Sequence, residues 1–400
     1  MADRTNPFQR NLGAVRRELF VGRGDLLEEL RGAASRPRGG LSQVWAVVGD
    51  RGQGKTSIVH YLCGNRNLGD EPSGHTRTVV ALEWTGELAR STRPLARVLY
   101  SQLPHMPRLE RTVDLGRRAY ESIAGGALWI LPLPRIDFKP HDGKQFAARV
   151  RSRLSGFGDT FVVLLDEIGI SEEAATRSLN FALEVANAGG GPREPNVLVV
   201  LFIVRQQATE LLLRPNAPRT VRRHELSDLD SADIQDLLHL GLSGQGKTVE
   251  NGLADAILGL TGGRPDVTMA LLLDAWEQLG DSVQLTRQHL VSAARPGSEV
   301  LTRTQGSLKE VLAVAEGDDK VRRVLLALSS LDASQCVSLR LPSDWLSAVR
   351  ALVGSDRQTD EAFERAWSEL VRYQVVIGDS SGHSRFRGEL LRTELAGFCR

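Results

Sequence analysis

The chain has 400 residues, of which 41% are hydrophobic and 25% are charged, and its formal net charge is +1. These values predict a globular protein with a large core and two or three domains. They exclude a global electrostatic attraction to nucleic acid or to an anionic membrane surface. The three cysteines are widely separated, with neither metal-ligand spacing nor the density of a disulfide framework, and no apolar run approaches 18 residues. We therefore expect a cytoplasmic protein with no membrane span.

The N-terminal part predicts an extended lead-in at Asn6-Pro7-Phe8 and a turn at Phe20-Val21-Gly22-Arg23, which precedes a charged amphipathic helix over Gly24–Arg31. The turn lies about 25 residues upstream of the glycine-rich motif described next. At that distance it could fold over the adenine and ribose of a nucleotide. Taken alone, however, it is equally typical of an ordinary turn before a helix.

The motif with the clearest chemistry lies in Leu41–Leu62, where an apolar strand at Val44–Val48 is followed by Gly49-Asp50-Arg51-Gly52-Gln53-Gly54-Lys55-Thr56 and an apolar helix from Ser57. This run matches the P-loop pattern G-x-x-x-x-G-K-[ST]. Glycines allow backbone N–H groups to surround phosphate oxygens, and the helix N-terminus adds its positive dipole end. We expect Lys55 to reach the β- and γ-phosphates and the Thr56 hydroxyl to bind Mg²⁺.

The same pattern occurs again at Gly241–Thr248, but here its context is different. The preceding segment, Ser231–Leu240, predicts an amphipathic helix with Ser231 as its N-cap, whereas a P-loop requires a buried strand at that place. We interpret this second copy as a flexible connection between helices.

Further strands are predicted at Thr78–Trp84, Phe161–Leu165 and Val197–Val204, with a helix at Ser91–Leu103 between the first two. The acidic pair Asp166-Glu167 follows the second of these strands. We expect Asp166 to hold Mg²⁺ through water and Glu167 to polarise the attacking water. Arg205 follows the next strand and is placed to sense the γ-phosphate, although a solvated arginine at a strand end is the alternative. The apolar stretch Gly125–Pro140 contains three prolines, which exclude a long helix, so we expect a hairpin or extended excursion that is either buried or an interaction surface.

Strands that alternate with helices predict an α/β three-layer P-loop NTPase domain with a parallel sheet up to residue 225. Helices then predominate, at Ser231–Leu240, Val249–Thr261, Pro265–Leu279, Lys320–Leu331 and Glu361–Val371. A short hairpin, Val375–Ile377 with Ser384–Phe386, follows them. We predict a helical lid over residues 226–297 and a winged-helix domain over residues 298–400.

Six segments together resemble the STAND and origin-recognition branch of AAA+ ATPases over residues 6–290: FVGR, GDRGQGKT, LLDE, the strand ending at Arg205, HELSDLD and TGGRP. The resemblance implies ATP and Mg²⁺ as cofactors, with Val21 and Pro265 bordering the adenine. Members of this branch cycle between a closed ADP-bound state and an open, often oligomeric, ATP-bound state. The residues that the resemblance and the P-loop motif assign to nucleotide binding are Val21, Gly22, Arg23, Gly49, Gly52, Gln53, Gly54, Lys55, Thr56, Ser57, Arg264 and Pro265.

The chain departs from this branch in two respects. It has no clear arginine finger, for which Arg214, Arg219, Arg222 and Arg223 are the candidates. It also has no recognisable sensor repeats and no fused effector domain, so a separate protein partner is expected to supply those functions.

Two functions are compatible with this pattern. One is an ATP-dependent switch that controls assembly with itself or with partner proteins, as in bacterial defence or regulation. The other is a DNA-engaging AAA+ ATPase whose winged helix binds duplex DNA. Residues 301–400 contain fourteen basic and fourteen acidic side chains, whereas DNA-binding winged helices normally have a basic face. This balance favours protein interaction, although Arg385 and Arg387 could still contact phosphate locally.

Overall fold

The computed structural model describes the following residues: 6–8, 17–34, 42–64, 77–83, 144–145, 160–168, 172–187, 196–205, 208, 221–295, 297–331, 342–373, 375–378 and 384–399. Internal contacts divide the chain into two compact units. The sheet unit comprises residues 23–51 and 55–226, and the helical unit comprises residues 1–22, 52–54 and 227–400. The predicted helix at Ser91–Leu103 and the proline-containing excursion at Gly125–Pro140 lie outside the described residues, as do Arg214 and Arg219.

The sheet unit is built on a parallel sheet whose described strands have the order β2-β3-β4-β1-β5. The central strands β1 and β4 are buried at nearly every successive position, which requires cover on both faces of the sheet. Helices α1, α2 and α3 pack against this sheet. The bounds of these elements are α1 Gly24–Ala34, β1 Gln43–Gly49, α2 Lys55–Gly64, β2 Arg77–Glu83, β3 Thr160–Ile168, α3 Glu172–Asn187, β4 Asn196–Val204 and β5 Val221–Glu225.

Strand β3 is longer than the apolar run predicted. The acidic pair Asp166-Glu167 was expected directly after the strand, but it lies inside it, and the pairing with β4 shifts register between Leu165 and Ile168. A β-bulge of this kind changes the direction in which a side chain points without ending the strand. The acidic pair therefore lies at the carboxyl-terminal edge of the sheet, as part of the strand itself.

Strand β5 was missed by the sequence analysis because its residues, Val221–Glu225, are mostly charged. It pairs with β1 at the edge of the described sheet, where charged side chains face solvent and discourage pairing with another chain. Arg222 and Arg223, two of the arginine-finger candidates, lie on this strand. The Arg222 guanidinium stacks 5.1 Å from the centre of the Trp45 ring, and Arg223 forms an ion pair with Glu225.

After residue 226, the helical unit contains the helices that were predicted for the lid. They are α4 Ser231–Ser243, α5 Leu253–Thr261, α6 Pro265–Leu279 and α7 Arg287–Ala293. The predicted N-cap of α4 was wrong by one residue. Asp230 is the N-cap: its carboxylate accepts a hydrogen bond from the Asp233 N–H, and the Asp233 carboxylate accepts one from the Asp230 N–H. These two bonds form a capping box, the role that was expected of the neighbouring Ser231 hydroxyl. The predicted start of α5 at Val249 was also wrong, since Thr248–Val249 forms strand β6, which pairs with β7 Gln284–Leu285.

The second copy of the P-loop pattern has structural roles in this unit. A Cβ on Gly241 would lie 2.6 Å from atoms of the Phe8 ring, so the glycine makes room for a fully buried aromatic residue. Lys247 donates hydrogen bonds to the carbonyls of Gly280 and Ser282. Gly241–Ser243 belong to the last turn of α4, and the rest of the segment leads to strand β6. The expectation of a loop between two helices was therefore only partly correct.

The C-terminal part contains α8 Glu299–Ala313, α9 Asp319–Ser330, α10 Pro342–Val353, α11 Arg357–Arg372, β8 Val376–Gly378, β9 Ser384–Phe386 and α12 Glu389–Cys399. Strands β8 and β9 form the expected antiparallel hairpin. The described residues of the helical unit form two hydrophobic clusters, and helix α8 contributes to both. Val300 belongs to the core around α4–α7, and Leu308 belongs to the C-terminal core. The described helices after residue 226 thus belong to one compact unit. Among the described helices, none has the length and apolar character needed to cross a membrane.

Candidate nucleotide-binding site

The phosphate loop connects the end of β1 at Gly49 to the start of α2 at Lys55. Gly52 and Gly54 have φ values of +83° and +84°, which side chains with a Cβ rarely adopt. This backbone conformation directs consecutive N–H groups to one side, and the first N–H groups of α2 have no partner within the helix. The loop is thereby a concentration of hydrogen-bond donors suited to an anion.

Lys55 folds back over this loop. Its ammonium group donates hydrogen bonds to the carbonyls of Gly49 and Asp50, at 2.8 and 2.7 Å. Thr56 is half-buried and Ser57 is buried in the same first turn of α2. The positive charge is therefore held at the loop itself, where a phosphate would need it.

The acidic edge of the sheet unit is formed by strand β3. Asp166 is only 2% exposed. It lies on β3, which is separated from β1 by the single strand β4. Carboxylate and hydroxyl oxygens are the ligand types that Mg²⁺ prefers, so Asp166 and Thr56 fit the requirements of this ion. Glu167 follows Asp166 within β3, and its side chain lies outside the described residues.

Arg205 follows β4 at the same edge, as predicted from the sequence. Its Nε lies 3.4 Å from the Asp50 carboxylate, and its Nη1 donates to the Glu225 carboxylate at the end of β5. The arginine is therefore held between a phosphate-loop residue and an edge strand. Sequence reasoning placed it at this edge but did not identify either carboxylate.

The FVGR turn is divided between the two units. Val21 packs against the core around α4–α7 in the helical unit. Arg23 is buried and belongs to the sheet unit, and its carbonyl accepts a hydrogen bond from the Leu27 N–H. Gly22 has a φ of +71°, and a Cβ there would lie 2.7 Å from a carboxylate oxygen of Asp233. The turn needs glycine both for its backbone conformation and for this close approach.

Within the helical unit, the TGGRP segment lies against the tip of the phosphate loop. The N–H of Asp266 donates to the Gly52 carbonyl at 3.1 Å, and the Asp266 carboxylate fills the space that a Cβ on Gly52 would occupy. Arg264 is buried and donates to both oxygens of that carboxylate, at 3.2 and 2.9 Å. Pro265 occupies the first helical position of α6, where its missing N–H has no cost.

The contacts of Gln53 with Asp228, and of Asp228 with Arg387, were not identified from the sequence. The side-chain amide of Gln53 donates to Asp228 Oδ1 at 3.0 Å, and Arg387 donates to both oxygens of the same carboxylate. Arg387 is 2% exposed, so the suggestion that it contacts DNA phosphate was wrong. Asp228 lies in the HELSDLD segment, but nothing in the local sequence indicates a partner 159 residues away.

Comparison with known proteins bears on the fold. No protein-family model matches this sequence, and no curated protein sequence matches it either. Among solved structures, the Walker-type ATPase paby2304 of Pyrococcus abyssi is similar with a TM-score of 0.56 and 12% identity, over 97% of this chain and 99% of that chain. The Aeropyrum pernix ORC2 protein, in its ADPNP–ADP complexes, is similar with a TM-score of 0.53 and 14% identity, over 100% of this chain and 97% of that chain. The chain has an α/β three-layer P-loop fold. At these identities the similarity establishes the three-layer α/β architecture, and the function must be argued from the residues themselves.

In open α/β sheets, ligands bind at the carboxyl ends of the parallel strands. Within the sheet unit, that edge carries Asp50 after β1, Lys55 at the start of α2, the acidic pair in β3 and Arg205 after β4. Anion donors, a buried carboxylate and a cation therefore share one edge. This set of groups has the chemistry required to hold a nucleoside triphosphate with its metal ion.

Proposed function

We propose that this protein is an ATP-binding and ATP-hydrolysing molecular switch that controls assembly with itself or with a protein partner. The observation that carries the proposal is the phosphate loop between a buried parallel strand and a helix N-terminus, with Lys55 held over the loop and Asp166 buried in β3. The backbone N–H groups of Gly52–Thr56 bind phosphate oxygens. Lys55 then exchanges its loop carbonyls for the β- and γ-phosphates.

The metal and the water have separate protein groups in this proposal. Thr56, and Asp166 through water, would hold Mg²⁺, which would supply neutralisation of the phosphate charge. Glu167 orients and polarises the attacking water as a general base. Arg205 exchanges its carboxylate contacts for the γ-phosphate.

A matched pair of lysine variants tests the binding step. Lys55→Ala removes the charge at the phosphate loop and is expected to abolish ATP–Mg²⁺ binding in isothermal titration calorimetry. Lys247→Ala removes the lysine of the second motif copy, which bonds only main-chain carbonyls in the contacts described above. It should bind ATP like the parent protein. An equal loss in both variants contradicts the assignment of the first motif.

Hydrolysis is tested with Glu167→Gln. This change preserves the size of the side chain but removes the base, so ATP binding should persist while phosphate release slows by about 10²- to 10⁴-fold. Unchanged turnover would show that another group activates the water.

The switch is tested with the same Glu167→Gln protein, because it retains bound ATP. Sedimentation velocity with ADP and then with ATP is expected to show a larger assembly in ATP, either of the protein alone or with its partner. The same mass in both nucleotide states, also with a candidate partner present, would leave an ATPase without a switch.

The charge pattern of the C-terminal part supports a protein partner over duplex DNA. Helix α11, which precedes the β8–β9 hairpin and corresponds to the recognition helix of the proposed winged helix, carries three arginines and four acidic residues. Each arginine lies within ion-pair distance of a carboxylate: Arg357 of Glu361, Arg365 of Asp318, and Arg372 of Glu369. Fluorescence anisotropy with labelled duplex DNA should therefore show no salt-dependent binding. Tight binding with a steep salt dependence would favour the DNA-engaging alternative.

A further inference from the structure

The tip of the phosphate loop is connected to the C-terminal hairpin through one carboxylate. Oδ1 of Asp228 accepts a hydrogen bond from Gln53 Nε2 at 3.0 Å and another from Arg387 Nη2. Oδ2 accepts from Arg387 Nε at 2.8 Å. All three residues belong to the helical unit. The carboxylate thus holds the loop on one side and the guanidinium on the other.

The burial of Arg387 makes this arrangement specific. Its side chain is 3% exposed, and that of Asp228 is 20% exposed. A buried guanidinium is stable only with a well-placed counter-charge, and a bidentate pair fixes the carboxylate in orientation as well as in distance. Arg387 therefore determines where Asp228 presents its oxygen to Gln53.

The backbone of Arg387 is fixed to two elements. Its N–H donates to the Val375 carbonyl beside the hairpin, at 2.9 Å. A Cβ on Gly262 would lie 1.1 Å from the Arg387 carbonyl oxygen, and a Cβ on Gly388 would lie 2.7 Å from the Leu260 carbonyl oxygen. The chain just after β9 thus packs directly on the backbone of the TGGRP turn, with glycine on both sides. A movement of the hairpin displaces Arg387 with it.

We propose that Asp228 is a positioning residue for the phosphate loop and that Arg387 makes this positioning depend on the C-terminal hairpin. The proposal rests on the proposed ATP site. Gln53 lies in the part of the loop whose backbone N–H groups bind phosphate. The bond from its side chain to Asp228 holds these donors in place before the ligand arrives, and such preorganisation increases affinity. Arg387 also neutralises a carboxylate that would otherwise repel the phosphates.

The consequence is a two-way coupling between nucleotide and hairpin. A partner that displaces the hairpin releases Asp228, frees Gln53 and weakens nucleotide binding. By linkage, nucleotide binding resists displacement of the hairpin to the same extent. The interaction thus provides a route by which a partner bound at the C-terminal part regulates the ATP site.

The test measures the ATP dissociation constant by calorimetry for the full chain and its variants. Arg387→Met, Asp228→Asn and Gln53→Ala are each expected to raise this constant by about 5- to 150-fold, the range of ordinary allosteric coupling. Gln53→Ala leaves the Asp228–Arg387 pair intact. It therefore tests the contact between Gln53 and Asp228 without breaking a buried ion pair. Arg385→Met is the matched control, because the same substitution two residues away removes an exposed arginine of β9. It should not change the constant.

Double variants distinguish a connected relay from three separate effects. Asp228→Asn combined with either Arg387→Met or Gln53→Ala should bind ATP no more weakly than the weaker of its two single variants, since each change interrupts the same connection. Additive effects would overturn the relay. A lowered melting temperature with an unchanged dissociation constant in folded Arg387→Met would also overturn it, and would leave Arg387 a purely structural residue.

The outcomes also separate this inference from the proposed function. If the parent protein does not bind ATP, the proposed function fails. If the parent binds ATP, Lys55→Ala does not, and Arg387→Met binds like the parent, only the inference fails.

Discussion

The close approach between the TGGRP turn and the chain after β9 predicts a large difference between two glycine substitutions. Gly262 has a φ of +64°, and a Cβ there would lie 1.1 Å from the Arg387 carbonyl oxygen. Gly246 has a φ of +63°, and no atom lies within 4 Å of the position of its Cβ. Both positions belong to the helical unit. Alanine at either site therefore meets the same backbone penalty, but only at Gly262 does it meet another residue.

The magnitudes follow from this comparison. A left-handed conformation costs an L-residue about 1–2 kcal/mol, and this applies to both variants. At Gly262 the opposing oxygen must retreat by about 2 Å to reach the 3.0 Å that real Cβ atoms observe. We expect a shift of that size to break the buried Arg387–Asp228 pair, which would add about 3–5 kcal/mol. We expect Gly262→Ala to reduce the free energy of unfolding by at least about 3 kcal/mol more than Gly246→Ala does.

The assay is urea unfolding followed by tryptophan fluorescence. The C-terminal core contains a tilted pair of rings, Trp345 and Trp367, with centres 5.3 Å apart, which should report the loss of packing. The difference between the two variants is the quantity to measure, because the shared backbone penalty cancels in it. Equal free energies of unfolding for Gly262→Ala and Gly246→Ala would refute the close approach between the turn and the residue after β9.

Two further predictions concern other parts of the helical unit. Gly241→Ala should lower the melting temperature, because its Cβ would lie 2.6 Å from the Phe8 ring. Gly259→Ala, at an exposed position of helix α5 with no atom within 4 Å of its Cβ, should raise the melting temperature through a gain of up to about 1 kcal/mol in helix propensity. Shifts of the same sign in thermal unfolding would contradict this prediction. The hydrogen bond from Lys320 lowers the pKa of Asp356 to about 2 from its ordinary 3.8. Because the folded pKa is the lower one, this carboxylate stabilises the fold above about pH 4, and its contribution is lost as the pH falls towards 2. Asp356→Asn should therefore flatten the dependence of the free energy of unfolding on pH in that interval, and an unchanged acid profile would show that other groups determine it.

The parts of the site that the sequence predicted are those set by short-range rules. The strand before Gly49, the helix from Lys55 and the glycines between them follow from local apolar patterning and from the φ values that only glycine tolerates. The buried run of β4 placed Arg205 at the correct edge, since parallel strands end on the same side of a sheet. Local chemistry also distinguished the two copies of the motif, because only the first follows a strand.

The sequence was less informative for an exposed strand and for a helix end where two adjacent residues can both act as the N-cap. Strand β5 escaped detection because an edge strand needs little apolar surface, and its pairing with β1 supplies the stability that its own residues do not. The N-cap of α4 was assigned to Ser231 although Asp230 performs the role, since both residue types cap well and only backbone geometry chooses between them.

Tertiary structure alone determined the contacts at the tip of the phosphate loop. Gln53 and Asp228 are separated by 175 residues and Asp228 and Arg387 by 159, and the local sequence around each residue indicates neither contact. Their pairing depends on the approach of the chain after β9 to the TGGRP turn, which two facing glycines permit. A sequence specifies local conformation through each residue's own steric and hydrogen-bonding preferences. The partner of a buried charge is decided only when the packed backbone brings two distant segments within hydrogen-bonding distance.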